Sequence, residues 1–153
     1  MGEDSSQDAL VVAGLRRILV FAYLVGGLGL TMELWLLEHT EGIWQLLPIM
    51  VLGISVLVLV LVLWVRRRWA LRLFQLLTLG ILLTSVVGVY LHFDGKAEFK
   101  LEIDPELSGW DLIWECIHGH SLPPVFAPGA MVLLALVGVA YFYKHPLLTN
   151  SKT

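Results

Sequence analysis

The chain is poor in charged residues and in cysteine, and each shortage excludes a class of protein. Only 15% of its 153 residues are charged and 58% are hydrophobic, whereas a typical soluble domain has about 25% and about 45 to 50%. A surface that faces water needs more charge, so the composition excludes an ordinary soluble domain. Cys116 is the single cysteine, which excludes an intrachain disulfide.

Sequence signatures of enzymes are lacking as well. The chain contains no Gly-x-Ser-x-Gly and no Walker lysine motif. Gly26, Gly27 and Gly29 lie in the middle of an apolar run, whereas the glycine turn of a dinucleotide site follows a soluble strand. We therefore expect a protein that is not an enzyme.

Long apolar runs are what the sequence has in abundance. They cover residues 18–37, 43–65, 69–91 and 125–143. Each is close to the roughly 20 residues that a helix needs to cross a hydrocarbon core of about 30 Å. Leucine and valine alternate over residues 56–63, as in a buried strand, but the surrounding run continues well beyond strand length without a turn signal. We predict four transmembrane helices.

The basic residues indicate how these helices are oriented. Eight of the ten lie before the first helix, around the second connection or after the fourth helix: Arg16, Arg17, Arg66, Arg67, Arg68, Arg72, Lys144 and Lys152. Cytoplasmic loops carry such an excess, so both termini are predicted to be cytoplasmic. The arginines are thus topology signals, with contact to anionic lipid headgroups as an alternative, and no nucleic-acid partner is expected.

Together these segments predict an all-α integral membrane fold, an antiparallel four-transmembrane-helix bundle in a bacterial inner membrane or a plasma membrane. Residues 1–14 are expected to form a disordered cytoplasmic head, and residues 15–146 a single transmembrane domain. Residues 147–153 form a cytoplasmic tail, and an extracytoplasmic loop covers residues 92–124.

Small residues recur at helical spacing inside the runs. They are Ala22 and Gly26 in the first helix, Gly80, Thr84 and Gly88 in the third, and Ala135 and Gly138 in the fourth. Small side chains let helix backbones approach each other in a membrane. These faces are predicted to contact neighbouring helices.

The first half of the outer loop has the pattern of a strand. Phe99, Leu101 and Ile103 alternate with charged residues over residues 97–104, which predicts a short strand or an extended segment. Pro105 then ends the pattern.

A short amphipathic helix is predicted in the second half of the loop, from Ser108 to Gly119. One face of it carries Trp110, Ile113, Trp114 and Ile117. Because indole rings favour the boundary between lipid and water, we expect this helix to lie in the membrane interface.

Candidate metal ligands gather on the predicted outer side of the membrane. They are Glu33, His39, His92, Asp111, Glu115, His118 and His120. Asp111, Glu115 and His118 share one helix face, and imidazole with carboxylate suits Zn or Cu. The alternative is that the polar face of the helix simply meets water, and no spacing here is as specific as His-Glu-x-x-His.

Two of these residues have further interpretations. Glu33 lies near the outer end of the first helix, where it is either an ion or proton site facing the bundle or a side chain that reaches the interface. His39 and His92 lie at helix ends on the same side, where a b-type haem could be held, although haem ligands usually come from within a bundle.

The function expected from these observations is that of a non-catalytic membrane component or accessory subunit without a cofactor. Its partners would be membrane lipids and other membrane subunits, or further copies of the chain. The alternative is a metal-handling or small-solute transport protein that uses the outer histidines and acids with Zn or Cu.

Overall fold

The computed structural model describes residues 2–118 and 126–149, and this part of the chain is helical apart from short connections. Its helices are α1 (Gly2–Leu36), α2 (Ile43–Val65), α3 (Arg68–Ile103), α4 (Gly109–His118), α5 (Phe126–Phe142) and α6 (Pro146–Thr149). Three stretches are long and apolar enough to cross a membrane, namely Leu10–Leu36, Ile43–Val65 and Arg68–Ile103. A shorter apolar helix, Pro128–Phe142, lies within α5. The prediction of an all-helical chain is confirmed for the described residues, and three of the four predicted helices are long and apolar enough to span a membrane.

Helices α1, α2, α3 and α5 pack around one apolar core. α1 contacts α2 and α5, and α3 contacts the same two helices. Tyr23, Leu52 and Phe74 are fully buried at the centre, where the Tyr23 and Phe74 rings meet edge to face at 5.0 Å. On the outside, Leu57 is 69% exposed and Trp64 is 87% exposed. An apolar core inside an apolar surface is the arrangement expected of helices surrounded by lipid.

Hydroxyl groups inside this core are hydrogen-bonded. The Tyr23 hydroxyl donates to Ser55 Oγ at 3.0 Å, and Ser55 in turn donates to the Leu52 carbonyl at 2.7 Å. Thr78 donates to the Phe74 carbonyl one turn earlier in α3, at 2.9 Å. These bonds satisfy polar groups that would otherwise be buried at a cost.

Most of the small residues lie where helices meet, as predicted. A Cβ on Gly26 would lie 3.1 Å from Leu134, and one on Gly138 would lie 3.1 Å from both Thr78 and Tyr23. Ala22 is the exception, because its side chain is exposed. The residue of α1 that lies at the contact with α2 is instead Gly27, where a Cβ would lie 2.6 Å from Val56.

The third helix is much longer than predicted. It continues beyond residue 91 to Ile103, so the strand predicted over residues 97–104 is wrong. Lysine, glutamate, alanine and leucine dominate this stretch, and all four are good helix formers. A helix that already exists adds such residues without a new nucleus. Pro105 ends it, since the residue before a proline avoids helical geometry, and Asp104 is extended with φ −136° and ψ 92°.

The first helix also begins earlier than predicted, because α1 starts at Gly2 and includes the head that was expected to be disordered over residues 1–14. No proline separates this head from the membrane-spanning stretch. Extension from an established helix costs little, which explains the continuity. At the other end of the chain, α6 occupies part of the predicted tail.

Contacts between the chain ends secure the end of the assembly that carries Arg16 and Arg66. The Arg16 guanidinium donates from Nη2 to the Lys144 carbonyl at 2.9 Å, which joins α1 to the residues after α5. Arg66 takes a left-handed conformation with φ 49° and turns the chain from α2 into α3. We call this the arginine end, and the opposite end, where α1 passes into α2, the distal end.

Candidate functional site

A cavity of about 410 Å³ lies at the distal end, with walls from α1, α2, α3 and α5 and from the connection between α1 and α2. Its volume is within the range of about 300 to 1,000 Å³ that is usual for small-molecule sites. The apolar part of the lining includes Leu34, Leu47, Leu83, Val87 and Met131. The polar part is small, and it consists of His39, Glu41, Gln45, Thr84 and His92.

Most of the polar lining residues lie at one end of the cavity. His39 and Glu41 belong to the connection that follows α1, and Gln45 lies in the first turn of α2. On α3, His92 and Leu83 both line the cavity and are nine residues apart, a distance of about 13 Å along a helix. The cavity therefore runs from a polar mouth at the distal end to an apolar interior.

Tight backbone turns place the mouth residues. Glu38 and Gly42 both take left-handed conformations, with φ 53° and φ 93°, which reverses the chain within a few residues. The His39 amide donates to the Leu34 carbonyl at 3.1 Å, so His39 follows directly on the end of α1. On the far side of the cavity, a Cβ on Gly88 would lie 3.4 Å from Pro128, and this close approach brings α5 against α3.

Two imidazole rings meet at the mouth. His39 and His92 stack with their centroids 5.7 Å apart and their planes 30° apart. Burial lowers the pKa of the His39 imidazole below its ordinary 6.5, and the neighbouring His92 lowers this pKa further because two cationic rings would repel each other. His39 is therefore neutral at pH 7.

The other polar groups of the cavity have defined hydrogen bonds. Gln45 accepts at Oε1 from the Glu41 amide at 2.8 Å, which directs its NH₂ group elsewhere as a donor. The Thr84 hydroxyl donates to the carbonyls of Gly80 and Ile81, each at 3.0 Å. Pro48 has no N–H, so α2 offers no helical donor to the Trp44 carbonyl one turn before it.

Among the predicted metal ligands, His39 and His92 are the pair that the structure brings together. Glu33 is exposed on α1, three residues before that helix ends, and does not line the cavity. Within residues 2–118 and 126–149, no three acidic, histidine or cysteine side chains are grouped so as to hold a metal ion. His120 lies outside the described residues, as does Gly119, where the short helix was predicted to end.

The predicted ligands on α4 have other neighbours. Glu115 forms an ion pair with Lys100 of α3 at 2.8 Å, and hydrogen bonding and charge from Lys100 lower the pKa of its carboxyl group. The His118 ring stacks on Trp114 with the centroids 3.5 Å apart. Asp111 is exposed in the first turn of the helix. Of these contacts, the ion pair with Lys100 joins α4 to the extension of α3, whereas the stacking of His118 on Trp114 lies within α4.

The imidazole pair does not fit a haem held between two histidines. Such a site needs nitrogen lone pairs directed at one iron from opposite sides, whereas His39 and His92 present ring faces to each other. A single ion beside both rings is compatible with this stacking. The haem interpretation is therefore not carried further.

The remaining cavity residues are only weakly indicated by the sequence. Glu41 and Gln45 are four residues apart and hydrogen-bond across the start of α2, a spacing that the sequence shows. Nothing in the sequence, however, indicates that they face His92 across a cavity. That arrangement arises from the packing of α2 against α3, which joins segments more than 40 residues apart.

No protein-family model, no curated protein and no solved structure matches this chain. Its class is therefore defined by the fold and the cavity. It is a helical protein with helices of membrane-spanning length and, between them at the distal end, an apolar cavity with a polar mouth.

Proposed function

We propose that this chain is a non-catalytic integral membrane component that binds a small apolar or amphiphilic molecule in the distal cavity. The cavity carries the proposal, since it offers about 410 Å³ between apolar helices with few polar groups. Small-molecule sites have this character. Such a protein acts as an accessory subunit of a membrane complex or as a homo-oligomer, with membrane lipids around it.

The proposal includes four membrane crossings, by α1, α2, α3 and α5, in an antiparallel bundle. α5 is 17 residues long, or about 25 Å, and packs against both α1 and α3. The connections over residues 37–42 and 66–67 are too short for anything but a reversal of direction. With the arginine end in the cytoplasm, both termini lie inside a bacterial inner membrane or plasma membrane.

In this orientation α4 lies at the outer surface. Lys96 of α3 donates to the Cys116 carbonyl at 3.4 Å, and Lys96 is five residues, or about 7 Å, beyond the end of the apolar run at Leu91. This depth is that of the lipid headgroups. Trp114 and Ile117, which are 49% and 44% exposed, are placed to enter that layer.

The chemistry of the cavity favours binding over catalysis. Its hydroxyl group, on Thr84, is engaged with two carbonyls of its own helix. Activation of a nucleophile needs a base within hydrogen-bond reach of it. The imidazoles stack on each other at the mouth, whereas Thr84 lies eight residues below His92 on α3, about 12 Å away along the helix.

A photoreactive hydrocarbon tests the binding function. The purified chain in lipid nanodiscs is labelled with a diazirine-bearing alkane, and the modified peptides are identified by mass spectrometry. Val87→Trp fills the cavity and should abolish labelling of Leu83, Thr84 and Leu91, α3 side chains that line it with Val87. Val86→Trp is the matched control, because Val86 is 68% exposed and does not line the cavity. Equal labelling in both variants would contradict a binding cavity.

The stacked imidazoles favour a second candidate, a metal-handling or small-solute transport function. Neutral imidazole is a good ligand for Zn and Cu, and His39 and His92 lie side by side at the cavity mouth with Glu41 among the same lining residues. Protein purified without a histidine tag would then carry near-stoichiometric metal by elemental analysis. The double variant His39→Ala/His92→Ala should lose the metal, while His145→Ala should keep it. Metal-free protein would remove this candidate.

A further inference from the structure

Four observations indicate which class of molecule the distal cavity can accept. The inference drawn from them rests on the proposed binding function. The first is the separation of polar and apolar lining along its length. His39, Gln45 and His92 surround the mouth, whereas Leu83 and Met131 lie among the apolar residues of the interior. A wholly apolar molecule would leave the mouth groups without partners, and a wholly polar one would leave the interior unfilled. The cavity therefore fits an amphiphile with its head at the mouth.

The charge of the mouth is the second observation. Glu41 adds a carboxylate to the lining, and Glu38 lies close by in the same connection. The imidazole of His39 is neutral at pH 7. An anionic head such as a phosphate would therefore meet negative charge, and the described lining residues include no lysine or arginine to compensate it.

The third observation concerns hydrogen bonding. An imidazole ring carries at least one N–H in either protonation state, and the Gln45 NH₂ group is available as a donor while its oxygen accepts from the Glu41 amide. The mouth is thus rich in donors. A trimethylammonium head has no acceptor to offer these donors, whereas a hydroxyl or carbonyl oxygen accepts from them.

The fourth observation is the opening toward the membrane. Val87 and Leu91 line the cavity and are also 39% and 38% exposed on the surface of α3. The neighbouring Val86 and Tyr90 are 68% and 64% exposed and do not line the cavity, so the cavity wall borders the surface of α3 that faces lipid in the proposed orientation. An amphiphile already dissolved in the outer leaflet can enter sideways without leaving the apolar phase.

We infer that the distal cavity binds a neutral amphiphile from the membrane. Its oxygen-bearing head accepts hydrogen bonds from His39, Gln45 and His92, and its apolar chain lies along Leu83 and Val87 toward Met131. Alcohols with a long alkyl or isoprenoid chain, and neutral lipids with a free hydroxyl group, belong to this class. Ordinary phospholipids, with a phosphate at the head, do not.

Trp44 provides a natural reporter, because it lines the cavity. The other five tryptophans do not line the cavity and are replaced by phenylalanine: Trp35, Trp64, Trp69, Trp110 and Trp114. Three probes share one brominated alkyl chain and differ in the head, which is hydroxyl, phosphate or trimethylammonium. Quenching of Trp44 fluorescence at pH 7.5 in nanodiscs gives the affinity of each probe. We expect the alcohol to bind at least tenfold more tightly than the other two.

Variants of the mouth test the assignment of the head. His39→Phe/His92→Phe should weaken binding of the alcohol by about fivefold for each lost hydrogen bond. His118→Phe is the control, since His118 lies on α4 outside the cavity, and it should leave the affinity unchanged. The same ranking should appear in the natural chain as competition against a photoreactive alcohol, which guards against misfolding of the variants.

The possible outcomes separate the two proposals. Equal or tighter binding of the phosphate or the ammonium probe would overturn the neutral-amphiphile inference while leaving the binding cavity in place. An unchanged affinity for the alcohol in the double histidine variant would also overturn it. If none of the three probes quenches Trp44 or competes for photolabelling, the proposed binding function fails, and the inference fails with it.

Discussion

Single residues decide how closely the helices of this protein approach. Gly27 is buried on α1, and a Cβ there would lie 2.6 Å from Val56 Cγ2 on α2. Valine is stiff at χ1, so this methyl group cannot turn aside easily. A methyl group added to Gly27 would therefore have to push the two helices apart.

Gly27→Ala should accordingly lower the free energy of unfolding, by about 1 to 3 kcal/mol as for other overpacked cores. Gly29→Ala is the matched control on the same helix, because its Cβ would meet nothing within 4 Å. That change should leave stability unaltered or raise it, since alanine favours helices. Unfolding in mixed detergent micelles measures both, and Val56→Ala should restore the Gly27→Ala variant. Equal stability of the two alanine variants would contradict the close approach.

His39 is predicted to make stability depend on pH. Its pKa is lower in the folded protein than the ordinary 6.5, because burial and His92 disfavour the cation. As the pH falls below 6.5, the unfolded state therefore takes up more protons than the folded state. The contribution of neutral His39 to folding stability is complete above pH 6.5 and is lost as the pH falls below that value. His39→Gln should reduce the loss of thermal stability between pH 7.5 and pH 5.5, whereas His118→Gln should not. An identical pH dependence in both variants would argue against a buried neutral His39.

At the scale of elements, polar contacts between helices supplement apolar packing. The bond from Tyr23 to Ser55 joins α1 to α2 inside the core. Membrane proteins gain only about 0.6 kcal/mol on average from such interhelical hydrogen bonds, because the separated helices find other partners. We expect this bond to be near that average, since Ser55 also donates to Leu52.

Tyr23→Phe should therefore lower the unfolding free energy by about 0.5 to 1.5 kcal/mol without changing the fold. Tyr90→Phe is the control, because Tyr90 is 64% exposed. A double-mutant cycle with Ser55→Ala isolates the coupling between the two side chains. Strictly additive effects of the two changes would show that the bond contributes nothing.

The sequence predicted the apolar elements better than the polar ones. Apolar length alone located α2, whose predicted bounds are those observed, because burial in lipid requires a continuous run. The alternation of Phe99, Leu101 and Ile103 misled the prediction, since seven or eight residues show period two by chance even in a helix. What the alternation does not show is that α3, already formed, continues through these good helix formers without a new nucleus.

The candidate site was predictable only in part for a similar reason. That His39 and His92 lie on the same side follows from counting helices, and the structure stacks them. That these two histidines line one cavity together with Gln45 and Met131 depends on how three helices tilt and pack. The spacing of Asp111, Glu115 and His118 along one helix predicted a metal site. In the described part of the structure these residues do not form a group that could hold a metal ion.

The placement of α4 gives a prediction about its two tryptophans. Because α4 runs back along α3, Trp114 is closer to the headgroup layer in the proposed orientation than Trp110, which is one turn nearer the tip. In single-tryptophan variants, brominated lipids should quench Trp114 more strongly than Trp110. Trp64, at the arginine end and 87% exposed, provides the reference for full lipid contact. Equal quenching of Trp110 and Trp114 would instead indicate a helix lying flat on the membrane.

At the scale of the whole molecule, charge and shape are both asymmetric along the helix axes. The arginine end carries Arg16, Arg66 and Arg72, and its α1 and α5 are tied together by the bond from Arg16 to Lys144. The distal end carries the cavity and the projecting pair of α3 and α4. One end is thus a basic, closed face and the other an acidic face with an opening, so that only one orientation presents the cavity to the outer leaflet.

This orientation predicts which positions react with a membrane-impermeant maleimide in intact cells. In a Cys116→Ser background, a cysteine replacing Gly95 on the extension of α3 should react, because Gly95 is exposed and a Cβ there meets nothing within 4 Å. A cysteine replacing Arg67, between α2 and α3, should react only after the cells are permeabilised, since the proposed orientation, based on the excess of basic residues, puts that connection in the cytoplasm. A cysteine replacing Asp8 on α1 should behave like the one at Arg67. Labelling in the opposite order would invert the topology and place the cavity mouth in the cytoplasmic leaflet, whereas opposite behaviour at Asp8 and Arg67 would mean that α1 or α2 does not cross.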